Sequence, residues 1–335
     1  MLVEHNDQHP AAGNAMEQML TRPQRASATP GVLLMLVAIG FWLMIGLTAA
    51  AAIPAAGSVG TGNGLALHAR HDALREQLAS NPFNRPLILE SSQTSNDVKG
   101  DIFAVLPYPF EKVSAALSAP EGWCEILILH LNTKYCGISH ERQETSLLMN
   151  VGKKIDQPLD QSFRVTFAWL LTDRKTDYLR VLLRADSGPM STRDYRILLE
   201  AVPVENGTTF LRLSYSYGFG LTGKLAMLAY LGTAGRNKVG FSISGTDSDG
   251  QPTFIDGLRG QQERNTMRYY LAIESFLGAP PTPDGKQFEK RINDWFNASE
   301  RYPRQLHELD QGEYLGMKRK EYRRQQLGEQ AAVLG

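Results

Sequence analysis

The chain has 335 residues, 42% of them hydrophobic, which is enough to bury a substantial core as one large domain or two small ones. Lysine plus arginine and aspartate plus glutamate number 35 each, so the formal net charge is zero and no global basic field exists to recruit nucleic acid. A disordered chain is excluded, and nucleic acid is not an expected partner.

Gly31 to Leu47 contains no charged residue, and Thr48 to Ala56 extends the run with alanines. Such a run reads as a signal-peptide core or a membrane anchor. Ala50 and Ala52 offer an A-x-A-like cleavage site, and Pro54 and Gly57 end a helix just beyond it. A start at Met16 or Met19 leaves Arg22 and Arg25 as a basic flank. Residues 1–56 are thus expected to be a cytoplasmic leader followed by a cleaved signal or a retained anchor. The rest is then periplasmic or otherwise exported, or anchored in the inner membrane with its domain outside the cytoplasm.

Residues 57–86 read as a glycine-rich tether and a short surface helix, Leu65 to Leu78, with Leu67, Leu74 and Leu78 among charges. Pro82 and Pro86 break it, and Ile88 to Glu90 reads as an edge strand. Val98 to Val105 alternates as a strand until Pro107 and Pro109 stop it. Val113, Ala116 and Leu117 then fall at helical spacing, and Trp123 to Leu131 gives a second short helical piece.

Cys124 and Cys136 are the two cysteines, at the junction of that piece with the next strand. In an exported chain the count points to one disulfide, worth roughly 3 kcal/mol for a loop of this size. Two buried thiols, or a zinc site with His130 and His140, are the alternatives; the spacings match no standard zinc pattern.

Lys134 to Ile138 and Thr145 to Val151 read as a hairpin. Phe163, Val165, Phe167 and Trp169 share one strand face, as do Leu179, Val181 and Leu183. Tyr195, Ile197, Leu199 and Ala201 follow on the next strand, and after the Glu205-Asn206-Gly207 turn so do Leu211, Leu213, Tyr215 and Tyr217. This meander of antiparallel strands has one apolar, aromatic face that must be covered. Leu221 to Leu231 reads as a helix lying over a sheet or at a pocket mouth, and Val239 to Ser244 with Thr253 to Ile255 as a hairpin. The Asp247-Ser248-Asp249-Gly250 run between them is a turn; as a calcium loop it lacks the first ligand.

Arg259 to Leu277 is a long amphipathic helix with Met267, Tyr270, Leu271 and Leu277 on one stripe and Glu274 within it. An acid so placed finds an arginine, reaches solvent at the edge, or meets a polar ligand headgroup. Residues 280–335 form a helical, charged extension that docks through residues such as Tyr302 and Tyr314. Its basic cluster, Lys318-Arg319-Lys320 with Arg323-Arg324, offers contact with anionic lipid headgroups.

No Walker A loop, H-E-x-x-H or dinucleotide fingerprint occurs, and Gly240 to Gly245 falls short of G-x-S-x-G. What remains is an aromatic concave face: Phe167, Trp169, Leu183, Tyr195, Tyr215 and Tyr217, with Met267, Tyr270 and Glu274 from the covering helix. It is either a solid core or a ligand pocket.

The element order from Asp97 to Leu277 carries a Pro-Tyr-Pro-Phe-Glu-Lys-Val segment after the first strand and a late Arg-Asn-Thr-Met-Arg-Tyr-Tyr helix. It resembles the START-like, polyketide cyclase-like (SRPBCC) helix-grip domains. That resemblance implies an α+β domain over residues 87–279, an antiparallel sheet curled around a long carboxy-terminal helix, holding lipids or other hydrophobic ligands between them. No residue role and no cofactor is carried over. The expected function is an exported hydrophobic-ligand binding protein. An envelope enzyme using pocket carboxylate or tyrosine groups, or an envelope assembly protein, are the competing classes.

Overall fold

The computed structural model describes residues 64–141, 144–225, 227, 238–282 and 286–328. The expected leader, export segment and tether, most of the second half of the Leu221 to Leu231 helix, and the chain after residue 328 lie outside the described residues. Among the described residues no helix is long and apolar enough to cross a membrane.

Helix α1 (Gly64–Ala79) precedes strands β1 (Leu87–Gln93) and β2 (Asp97–Leu106), then helices α2 (Phe110–Leu117) and α3 (Pro120–Leu127). Six strands follow: β3 (Thr133–Glu141), β4 (Glu144–Val151), β5 (Phe163–Arg174), β6 (Leu179–Ser187), β7 (Thr192–Val204) and β8 (Thr208–Phe219). They join β1 and β2 in one antiparallel sheet of order β1-β2-β8-β7-β6-β5-β4-β3. The short hairpin β9 (Ile243–Thr246) and β10 (Pro252–Phe254) leads into the long helix α4 (Gly257–Leu277).

Alternation decides the faces. Gly100, Tyr215, Ile197, Leu183 and Trp169 are successive register partners across five strands, and the buried members of this and the flanking rows form the main core beneath α4. At Gly100 a β-carbon would stand 2.3 Å from Thr266 Oγ1, so the missing side chain lets α4 lie directly on β2.

Three elements differ from expectation. Helix α3 starts at Pro120, which suits a first helical position, and ends at Leu127, after which the chain turns through His130 toward β3. The β9–β10 hairpin is shorter than its pattern, because its exposed strands pair only with each other. The helix expected at the surface, α1, covers the outer face of the sheet instead. Its Leu67, Leu74 and Leu78 pack with Ile88, Phe103, Tyr178, Val202 and Phe210 in a second core.

Helices α5 (Gln287–Ser299), α6 (Pro303–Leu306) and α7 (Gln311–Leu327) follow. Phe288, Ile292, Trp295, Leu306, Tyr314 and Met317 belong to the same core as α4, and the described residues form one compact unit. Trp295 Nε1 donates to the Arg268 carbonyl at 3.1 Å, and the Tyr314 hydroxyl to the Leu129 carbonyl at 2.9 Å.

Candidate functional site

Four tyrosines converge between the sheet and α4. Tyr215 and Tyr217, two apart on β8, face the same side. Tyr195 joins them through an irregularity in β7: the register shifts between Arg193 and Arg196, and Asp194 takes a left-handed φ of 54°. The Tyr195 ring stacks on Tyr217 with centroids 5.2 Å apart, and its hydroxyl lies 2.5 Å from Thr192 Oγ1. Gly188 makes room for this ring, since a β-carbon there would meet it at 2.3 Å. Tyr269 arrives from α4, edge-on to Tyr215 at 5.1 Å, with His130 stacked behind it at 4.7 Å. Phe167 closes one side against Tyr195, and the Tyr217 hydroxyl points to Met227 Sδ at 3.8 Å.

Burial pushes the Tyr195 hydroxyl up to about 12, and those of Tyr215, Tyr217 and Tyr269 still further above the ordinary tyrosine value. Yet the Tyr195 and Tyr269 residues keep accessible surface. The hydroxyls of Tyr215 and Tyr269 make no hydrogen bond among the described residues. Each such hydroxyl is a donor and an acceptor that a polar atom of a ligand or a water can meet.

Of the residues expected to line a pocket, Phe167, Tyr195, Tyr215 and Tyr217 are brought together here, with Leu183 and Met267 buried in the adjoining core. Trp169 turns toward α3 and meets Trp123 edge-on at 5.9 Å. Tyr270 and Glu274 lie on another face of α4, where Glu274 Oε1 accepts from the Tyr270 hydroxyl at 2.7 Å and from Arg85 Nη2. Glu274 has therefore found its arginine, from the segment between α1 and β1. Tyr269 was missed because the apolar stripe through Met267 and Tyr270 draws attention one residue along the helix.

Cys124 and Cys136 form the disulfide, with Cα atoms 5.2 Å apart, fastening α3 to β3. Both sulfurs are thereby removed from any zinc set with His130 and His140. His130 is buried beside Tyr269; burial, and then Arg268, Lys318 and Lys154, hold its imidazole well below the usual range, so it is neutral at pH 7. Asp247 Oδ1 accepts from the backbone of Asp249 and Gln251, making that acidic run a turn.

The basic cluster of α7 splits by face. Lys318 is fully buried and bonds Glu321 at 2.7 Å, Lys134 bonds the other oxygen of Glu321 at 2.9 Å, and both lysines also donate to carbonyls around His130 and Thr133. Arg319 pairs with Glu289 and Lys320 with Asp156 on the surface. Among the described carboxylates, Glu125 is raised by burial despite Arg291 beside it, and it stands with α5 rather than with the tyrosines.

No protein-family model matches the chain, and no curated protein matches it. Among solved structures it is similar to truncated norcoclaurine synthase from Thalictrum flavum, at 14% identity and a TM-score of 0.31 over 43% of this chain and 91% of that one. It is also similar to human StAR-related lipid transfer protein 5, at 5% identity and a TM-score of 0.26 over 47% of this chain and 82% of that one. A protein from Arthrobacter aurescens gives 14% identity and a TM-score of 0.27 over 55% and 88%. Likenesses this low carry no functional weight, and the architecture rests on the chain's own topology. Two helices inserted after the second strand, a continuous antiparallel meander and a long late helix lying across it make this an α+β helix-grip fold of the START-like kind.

Proposed function

We propose that this protein binds a hydrophobic small molecule or lipid between the sheet and α4, and that it does so outside the cytoplasm. The observation that carries the reading is the tyrosine cluster. Its rings are desolvated, Tyr195 and Tyr269 remain accessible, and the hydroxyls of Tyr215 and Tyr269 have no hydrogen-bond partner among the described residues. Aromatic walls with a few polar tips suit a ligand with an apolar body and one or two hydrogen-bonding atoms. The disulfide and the uncharged run of residues 31–56 support an oxidising compartment.

Organic extraction of the purified full chain should release an apolar molecule in near-stoichiometric amount, and Tyr215→Phe should weaken its retention about fivefold, roughly 1 kcal/mol for one hydrogen bond. Protein that is repeatedly recovered empty and takes up neither lipid nor an apolar dye would sink the binding reading. For the location, alkaline phosphatase joined after residue 63 should be active, since that enzyme needs its own disulfides. An inactive fusion that is nevertheless produced counts against export.

A further inference from the structure

A concavity stands apart from the tyrosine cluster. It encloses about 720 Å³ between the segment joining α1 to β1, the end of β2, the C-terminal half of α4 and the α5–α6 turn. That volume lies within the range of small-molecule sites.

Its lining has a definite chemistry. Two arginines, Arg85 and Arg301, and one carboxylate, Glu274, line it. Glu274 is already engaged by Arg85 and Tyr270, whereas exposed Arg301 makes no ion pair or hydrogen bond among the described residues. The cleft therefore holds one positive charge in excess. Phe83 and Tyr302 supply aromatic walls, set edge to face at 6.0 Å and both braced against Phe241 at 5.7 and 5.4 Å.

The walls are preorganised. Asn81 ties its own loop by donating to the carbonyls of Gln77 and Arg85 and accepting from the Phe83 amide. Pro82, Pro86 and Pro107 stiffen the rim. A fixed site loses less entropy when a ligand enters.

We infer that this cleft binds a small organic oxyanion carrying a planar ring, with its carboxylate, sulfonate or phosphate on Arg301 and its ring against Phe83 and Tyr302. The excess charge selects an anion, and the paired rings select a flat apolar body. This site does not depend on the tyrosine cluster being occupied.

Calorimetric titration of the full chain with 2-naphthoate, and with uncharged 2-naphthamide as control, tests it. Naphthoate should bind, and Arg301→Gln should weaken it about tenfold, equivalent to 1.4 kcal/mol, while leaving naphthamide unchanged. Arg301 is exposed, so an unaltered melting temperature will show that the variant is folded. Naphthoate that fails to bind at millimolar concentration, or that binds Arg301→Gln as tightly as the parent chain, overturns the inference. If Tyr217→Leu rather than Arg301→Gln abolishes binding, the probe sits between sheet and helix; that result overturns the cleft site and leaves the ligand reading of the tyrosine cluster standing.

Discussion

Glu321 is the carboxylate on which the buried charges of α7 turn. Both its oxygens are taken by lysines, Lys134 and Lys318, whose side chains are fully buried like its own. Glu321→Gln leaves two ammonium groups in the interior facing a neutral amide, and removing one partner of a buried ion pair costs about 3–5 kcal/mol. Urea denaturation at pH 7 should show that loss. Two lysines, one in this cluster and one paired with Glu308, make stability pH-dependent. Burial depresses Lys318 from 10.5 to about 8, and Lys154, paired with Glu308, also falls to about 8. Between pH 8 and 10.5 the unfolded chain therefore binds more protons than the folded one, so stability is gained as pH rises through 8 and lost as it falls. Denaturation midpoints should climb from pH 7 to 9.5, and Lys318→Met should flatten the climb; a flat parent profile refutes the assignment. At this scale the sequence is half legible. An arginine was one of three outcomes expected for Glu274 on its apolar stripe, but the partner, Arg85, is 189 residues away and only folding joins them.

The strands were legible because alternate residues of each belong to the main core, so a period-2 apolar row is written into β2 and β5 to β8 even where the opposite face is also covered. The Glu205-Asn206-Gly207 turn was legible too, and Asn206 and Gly207 do take positive φ, 61° and 67°. The role of α1 was hidden for a related reason. Phe103, Val202 and Phe210 sit at positions that alternation assigns to the outer face, where they look like exceptions until a helix covers them. The contact of α4 with β2 likewise leaves only one trace, a glycine in a strand. Gly100→Ala would drive a methyl group into Thr266, whose hydroxyl is already bonded to the Gln262 carbonyl. The expected cost is about 1–3 kcal/mol of overpacking, read as a lower denaturation midpoint, and an unchanged midpoint would show that α4 can shift without cost.

Over the whole molecule, the charged extension is part of the domain it follows. Arg268 of α4 donates to Glu308 at 2.7 Å and to the Leu306 carbonyl, while Trp295 stacks on Tyr314 at 4.9 Å behind it. A chain ending at residue 280 would expose that face of α4 and leave Arg268 without its carboxylate. It should aggregate or unfold without a cooperative transition, measured by size-exclusion chromatography and near-ultraviolet circular dichroism. A monomeric, cooperatively folding truncation would mean that the extension only decorates a self-sufficient sheet and helix. By itself the sequence determined the strands, the long helix, their order and the aromatic face, because packing against the main core imposes a period that local residues record. Only the tertiary structure decided which tyrosines meet, that α1 belongs to the outer face, that Arg85 answers Glu274, and that a cleft opens beside Arg301. Those depend on segments far apart in the chain, and no local pattern encodes which distant surface an apolar stripe or a charge will meet.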